Sequence, residues 1–296
     1  MTYARILSGA LLGAAIAAPA FADDGIPDFG GRWGRNAFNF EAKAEGPKPL
    51  YNLKRLPDGT NDGDQLVGDW KNPILKPEAA EIVRKNGLLA RAGIGYPDPS
   101  NQCRPYQPPF TYAMQLGMEM LQKKDSITIM YNQDDQVRHI RLNSAHPADV
   151  KPAPMGDSIA HYEGDTLVVD TIAIKPSPFN MVDRWGSPVT PGLHVVERYR
   201  LIDGEMAKAA QDRHEKTDGR VGGAGGAMAV DPDTSKKGLQ VEITVEDPNV
   251  FTTPWTGYST FRRIRTPWFE QVCAENPVDH YEGEWVGLPR DDTPDF

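Results

Sequence analysis

The sequence predicts an all-β fold, an antiparallel barrel or alternatively a sandwich, with an irregular N-terminal segment and one short helix. Three observations carry this. From Ser126 onward, short β-type runs follow one another between turn signals. Leu239 to Glu246 alternates apolar and polar side chains without exception, which gives one dry and one wet face. Gly and Pro, 28 and 26 of 296 residues, interrupt the chain too often for a helical bundle, while 39% hydrophobic content still supplies a core.

Residues 1–22 read as a secretory signal peptide. Arg5 precedes an apolar run from Ile6 to Ala20, and Ala20-Phe21-Ala22 is followed by Asp23 and Asp24 where a membrane anchor would carry cations. Cleavage after Ala22 makes the product periplasmic or secreted, with no membrane span left. Residues 23–104 form an irregular wrap, in which Pro77 and Glu78 open the one helix and Asn86-Gly87 closes it.

The β core occupies 105–276. Ser126 to Tyr131 and Val137 to Leu142 make one hairpin across Asn132 to Gln136. Ser158 to Tyr162 and Thr166 to Ile174 make another across Glu163-Gly164-Asp165. Leu193 to Ile202, Leu239 to Glu246 and Tyr258 to Arg265 complete the strands, with no helix expected between them. The glycine-rich run at 219–238 lacks the strand before and helix after that a phosphate loop requires, and reads as a hairpin tip. Residues 277–296 are an acidic, Pro-containing tail.

A net charge of −9 disfavours nucleic acid as a partner. The two cysteines, Cys103 and Cys273, are expected to pair in an oxidising compartment, constraining the unfolded chain by about 4–5 kcal/mol on the entropic account. No two of the six histidines share a metal-ligand spacing, and Gly-X-Ser-X-Gly is absent, so neither a metal, a cofactor nor a serine nucleophile is expected.

Chemistry is sought instead among buried acids. Alternation along Leu193 to Ile202 turns Leu193, Val195, Glu197, Tyr199 and Leu201 to one apolar face, which carries Glu197 inward. A carboxyl group desolvated there suits proton transfer, unless an arginine such as Arg138 or Arg141 pairs with it structurally. Asp170, in an apolar strand, and His161 are the expected catalytic partners, and Arg138 an orienting cation. His139, Tyr199 and Trp185 join Arg138 as expected ligand contacts, with Trp185 near a turn at the barrel mouth.

Asp28-Phe29-Gly30-Gly31-Arg32-Trp33 and the run from Gly156 to Thr171, Gly-Asp-Ser-Ile-Ala-His-Tyr-Glu-Gly-Asp-Thr-Leu-Val-Val-Asp-Thr, resemble a broad family of exported bacterial proteins of unknown function. Asp135 to Arg138, Leu193 to Arg200, Thr244 to Pro248 and Thr253 to Trp255 fit the same family, over about residues 99–276. Family members commonly carry Gly-His-Ser where Gly156-Asp157-Ser158 stands, and His-Ser-Glu where Thr190-Pro191-Gly192 stands. Gly31-Arg32-Trp33 also resembles the Gly-X-Trp start of a lipocalin-like barrel. That resemblance implies a tryptophan plugging the closed end beneath a late-strand arginine, here Arg262 or Arg263, through a cation–π contact. The expectation is then an exported lipocalin-like barrel that takes a small apolar or aromatic molecule, with acid/base chemistry of the lyase, isomerase or hydrolase kind, or else a carrier without chemistry or an envelope interaction protein.

Overall fold

In a computed structural model, residues 25–269 are described, apart from 36, 38, 64, 94–98, 100–102, 114–116 and 219–228. The signal peptide, most of the glycine-rich run, the C-terminal tail and Cys273 therefore lie outside the described residues.

Nine strands close a barrel. They are β1 (Gly31–Gly34), β3 (Met118–Gln122), β4 (Ser126–Tyr131), β5 (Gln136–Leu142), β6 (Asp157–Glu163), β7 (Thr166–Ile172), β8 (His194–Ile202), β9 (Gly238–Glu246) and β10 (Trp255–Arg263). They pair in sequence order, and β1 returns to β10 through Trp33 opposite Arg263. A two-residue strand, β2 (Glu41–Ala42), adds to β10 outside this ring. The closure removes the exposed edges that an open sheet would leave to be covered.

Two features differ from the expected antiparallel meander. β5 and β6 run parallel, with Ile140 opposite Ser158, so the chain between them crosses the length of the barrel as a strap, residues 143–156. Parallel neighbours cannot share a tight turn, which is why this connection is long. The second difference is a helix between β8 and β9, α2 (Gly204–Asp218). Asp203 caps it by accepting the Glu205 N–H at 2.9 Å. Ala207, Ala210 and His214 form a buried stripe at helical spacing, and the helix lies against β9 and β10.

The expected helix, α1, spans Pro77–Arg91 and runs a turn past Asn86-Gly87. Gly87 is no cap. It faces Val67, whose methyl would stand 3.1 Å from any added Cβ, so the missing side chain permits close packing, and Ala90 extends the buried stripe. No helix among the described residues is long and apolar enough to cross a membrane.

Side-chain parity inside the barrel follows the alternation read from sequence. Val195, Glu197 and Tyr199 point inward with Ile127, Ile129, Arg138, Ile140, Leu167, Val169, Val241, Ile243 and Val245. At the end where β1 begins, fully buried Trp33 donates its indole N–H to the Phe29 carbonyl at 2.9 Å, and the Arg263 guanidinium lies 3.6 Å above its ring centroid. The opposite end is covered by the N-terminal segment. Lys76 N–H donates to the Val250 carbonyl, Leu75 bridges Phe251, and the Trp185 indole donates to the Leu50 carbonyl at 2.9 Å.

Candidate functional site

The most charged part of the interior is built on one arginine. Arg138 reaches across the barrel from β5 to β8 and holds both oxygens of Glu197, at 3.0 and 2.7 Å. Its Nε donates to Ser158 Oγ (3.1 Å) on β6, a second Nη2 bond goes to Thr171 Oγ1 (2.6 Å) on β7, and Nη1 also reaches Tyr112 OH (3.4 Å). These contacts use all five guanidinium donors. Ser158 and Thr171 bond each other at 3.0 Å, and the Tyr112 and Tyr199 hydroxyls bond each other. Burial, reinforced by the Glu197 charge, pushes both phenols well above their usual pKa and keeps them protonated.

Glu197 therefore faces inward, as its strand parity predicts, and is fully enclosed. It is the structural ion pair weighed against the catalytic reading, with Arg138 as the partner. Two strands, β6 and β7, lie between theirs around the wall, so the contact is a chord through the interior rather than a neighbouring-strand pair. With both carboxylate oxygens clamped by a permanent cation, Glu197 is poorly placed to exchange a proton with a substrate.

A second cluster stands on the outer wall. Asp170, on β7, faces outward and is half exposed, so it does not meet Glu197 across a cavity. His146, from the strap, places Nε2 2.9 Å from Asp170 Oδ1 and Nδ1 2.6 Å from Asp157 Oδ2. His194, on β8, places Nε2 3.0 Å from Asp170 Oδ2, with its Nδ1 3.9 Å from Glu246. Arg141 holds Asp157 through two bonds of 2.7 and 2.9 Å. The Asp157 carboxyl is lowered below its usual pKa chiefly by Arg141, and Asp170 chiefly by His194. The hydrogen bond to Asp170 in turn raises His194 above the usual imidazole value. Among the described residues no group of three side chains is disposed to hold a metal ion.

A third feature is a shallow recess open to solvent. It lies where the end of the strap meets the loop after β7. Arg104 and Lys175 supply cationic side chains to it, and Pro105, Pro154 and Phe179 supply apolar surface. Asn180 fixes the loop by donating to the Lys175 carbonyl at 2.9 Å, and the Arg104 guanidinium lies 5.9 Å from the Phe179 ring centroid.

No protein-family model, curated protein or solved structure matches this chain. Residue placement therefore rests on its own geometry.

Of the expected site residues, the fold brings Arg138, Glu197 and Tyr199 together. His139, an expected ligand contact, and His161, an expected catalytic partner, lie on the outer surface instead. His139 contacts Thr128 at 3.2 Å and His161 contacts Glu163 at 3.2 Å. In each case the barrel seats the neighbouring residues, Arg138 and Ile140 or Ala160, inside, and strand parity sends the histidine out. Trp185 is buried against the N-terminal segment and lines no recess described above. Cys103 is described but Cys273 is not, so the disulfide stays an expectation. Sequence reasoning passed over His146, which sits in a loop with no periodicity, and Tyr112, whose short 3-10 turn (Phe110–Ala113) carries no strand signal.

Proposed function

We propose that this is an exported, non-enzymatic binding protein that takes a small aromatic or apolar molecule bearing an acidic group at the rim recess. The observation that carries the reading is the recess itself, where Arg104 and Lys175 stand beside Phe179 and two prolines, chemistry suited to a planar anion. Trp33 beneath Arg263 supports a lipocalin-like relationship. A ligand inside such a barrel would have to displace the Arg138–Glu197 network, and the cost of leaving either charge unpaired argues for the rim instead. Export to the periplasm or beyond rests on residues 1–22. An exported protein is expected to show neither cysteine reactive toward a maleimide until reductant is added, and two thiols that react without reductant would remove the disulfide.

Isothermal titration with benzoate, against benzyl alcohol as its neutral counterpart, tests the ligand class. Benzoate is expected to bind the tighter of the two, and Lys175→Gln to weaken it roughly tenfold, as loss of one charge-assisted contact does. Indifference to the carboxylate, or to Lys175→Gln, would overturn the reading.

A further inference from the structure

The strap between β5 and β6 is held to the barrel by few contacts. It leaves β5 at Asn143 and enters β6 after Gly156, both with left-handed backbone (φ 51 and 68), so each corner is set by a residue type that tolerates that region. Its backbone is tied at the two ends, where Asn143 N–H donates to the Ala160 carbonyl and Ala153 N–H to the Ala173 carbonyl. Among the described residues, the hydrogen bonds that hold 144–152 to the barrel wall are those of His146 and two long ones from Arg141, to Ser144 Oγ at 3.3 Å and the Ala145 carbonyl at 3.5 Å. His146 is half buried on a span that is otherwise mostly exposed.

Hydrogen-bond stoichiometry makes this anchor conditional. Both ring nitrogens of His146 stand within 2.9 Å of a carboxylate oxygen, one on Asp157 and one on Asp170. A neutral imidazole has a single N–H and donates to only one of them, leaving its other lone pair against an anion, whereas an imidazolium satisfies both. The surrounding charges are Arg141 on β5, Asp157 on β6, Asp170 on β7, and His194 on β8 with Glu246 behind it on β9. Three carboxylates face two imidazoles and one guanidinium, so the cluster is neutral only when both histidines are protonated. Loss of those protons leaves net negative charge under the strap.

We infer that the strap is a proton-dependent latch, closed when His146 is an imidazolium bridging Asp157 and Asp170 and released when it becomes neutral. The direction agrees with the neighbours. A carboxylate whose pKa is lowered holds its contacts above the ordinary Asp value and loses them as pH falls through the lowered one. A histidine whose pKa is raised holds its contacts below the ordinary imidazole value and loses them as pH rises through the raised one. For His146 the stoichiometry gives the same sign, closed when the ring is doubly protonated and released as pH rises. The latch itself does not depend on the ligand reading.

Alanine methyl relaxation reads the strap at any pH, because methyl protons do not exchange with water. In the full exported chain, the methyl order parameters of Ala145 and Ala148 are expected to fall from about 0.85 at pH 5.5 to 0.6 or less at pH 9, while that of buried Ala160 stays high. His146→Gln, whose amide takes up no proton in this range, is expected to give order parameters that do not change between the two pH values. A second readout is ring-nitrogen chemical shifts, which are expected to show His146 doubly protonated over the range where the strap is rigid. Order parameters in the native chain that do not change with pH, or a His146→Gln chain that keeps the native pH response, would overturn the latch.

Discussion

Replacing Glu197 by alanine is expected to cost about 3–5 kcal/mol of folding stability, because it strands the Arg138 guanidinium in a dry interior. Arg138→Met is expected to cost a similar amount by stranding the carboxylate. Both side chains are almost wholly inaccessible (1% and 0% exposed), so water cannot replace the missing partner without opening the barrel. With a domain's net stability of about 5–15 kcal/mol, either change removes a large part of it. The double replacement Arg138→Met with Glu197→Leu is expected to recover most of the loss. The remaining hydroxyls still pair, Ser158 with Thr171 and Tyr112 with Tyr199, and an apolar pair of similar volume carries no desolvation penalty. Urea denaturation of the three chains measures this directly. Single replacements that cost less than about 1 kcal/mol would mean that water already reaches the network. A barrel held together by this chord has its interior committed to structure, and the proposed function places ligand contact at the rim for that reason.

Trp33→Ala is expected to cost about 3–5 kcal/mol, the usual range for truncating a large buried aromatic. Trp33 sits on the two strands' worth of pairing that closes the ring, opposite Arg263 on β10 and Met118 on β3. Its loss opens a cavity at the junction where the first and last strands meet. Arg263→Ala removes the cation above the ring and the 2.6 Å bond to the Gly30 carbonyl, with a smaller expected cost of about 1–2 kcal/mol. Burial lowers the Arg263 guanidinium from its usual pKa, partly offset by Asp28, as befits a cation drawn off water onto an indole face. A double-mutant cycle between the two is expected to give a coupling of about 0.5–2 kcal/mol. Zero coupling would make the stacked geometry incidental, and a Trp33→Ala cost near that of an exposed site would show that closure does not depend on this plug.

The first of these effects was half legible in the sequence. Strict alternation along His194–Ile202 fixes which face Glu197 takes, because a strand has a period of two and one face must be dry. It does not fix what Glu197 meets, since Arg138 lies three strands away and the two touch only because the sheet curls into a ring. Trp33 was legible through its Gly-X-Trp setting and its late-strand arginine, although a four-residue strand carries too little periodicity to be assigned by pattern. The α2 helix carried signals that went unread, namely the Asp203 cap and the Ala207, Ala210, His214 spacing.

By itself the sequence determined the approximate positions of β4 to β10 and the inward face of β8 and β9, because hydrophobic alternation and turn residues act over a few positions. Only the tertiary structure decided the closure of β1 on β10, the parallel β5–β6 step, and the meeting of His146 with Asp157 and Asp170. Each of those joins residues through the path of the chain in space, and a strap or a ring closure leaves no periodic mark on the residues it brings together.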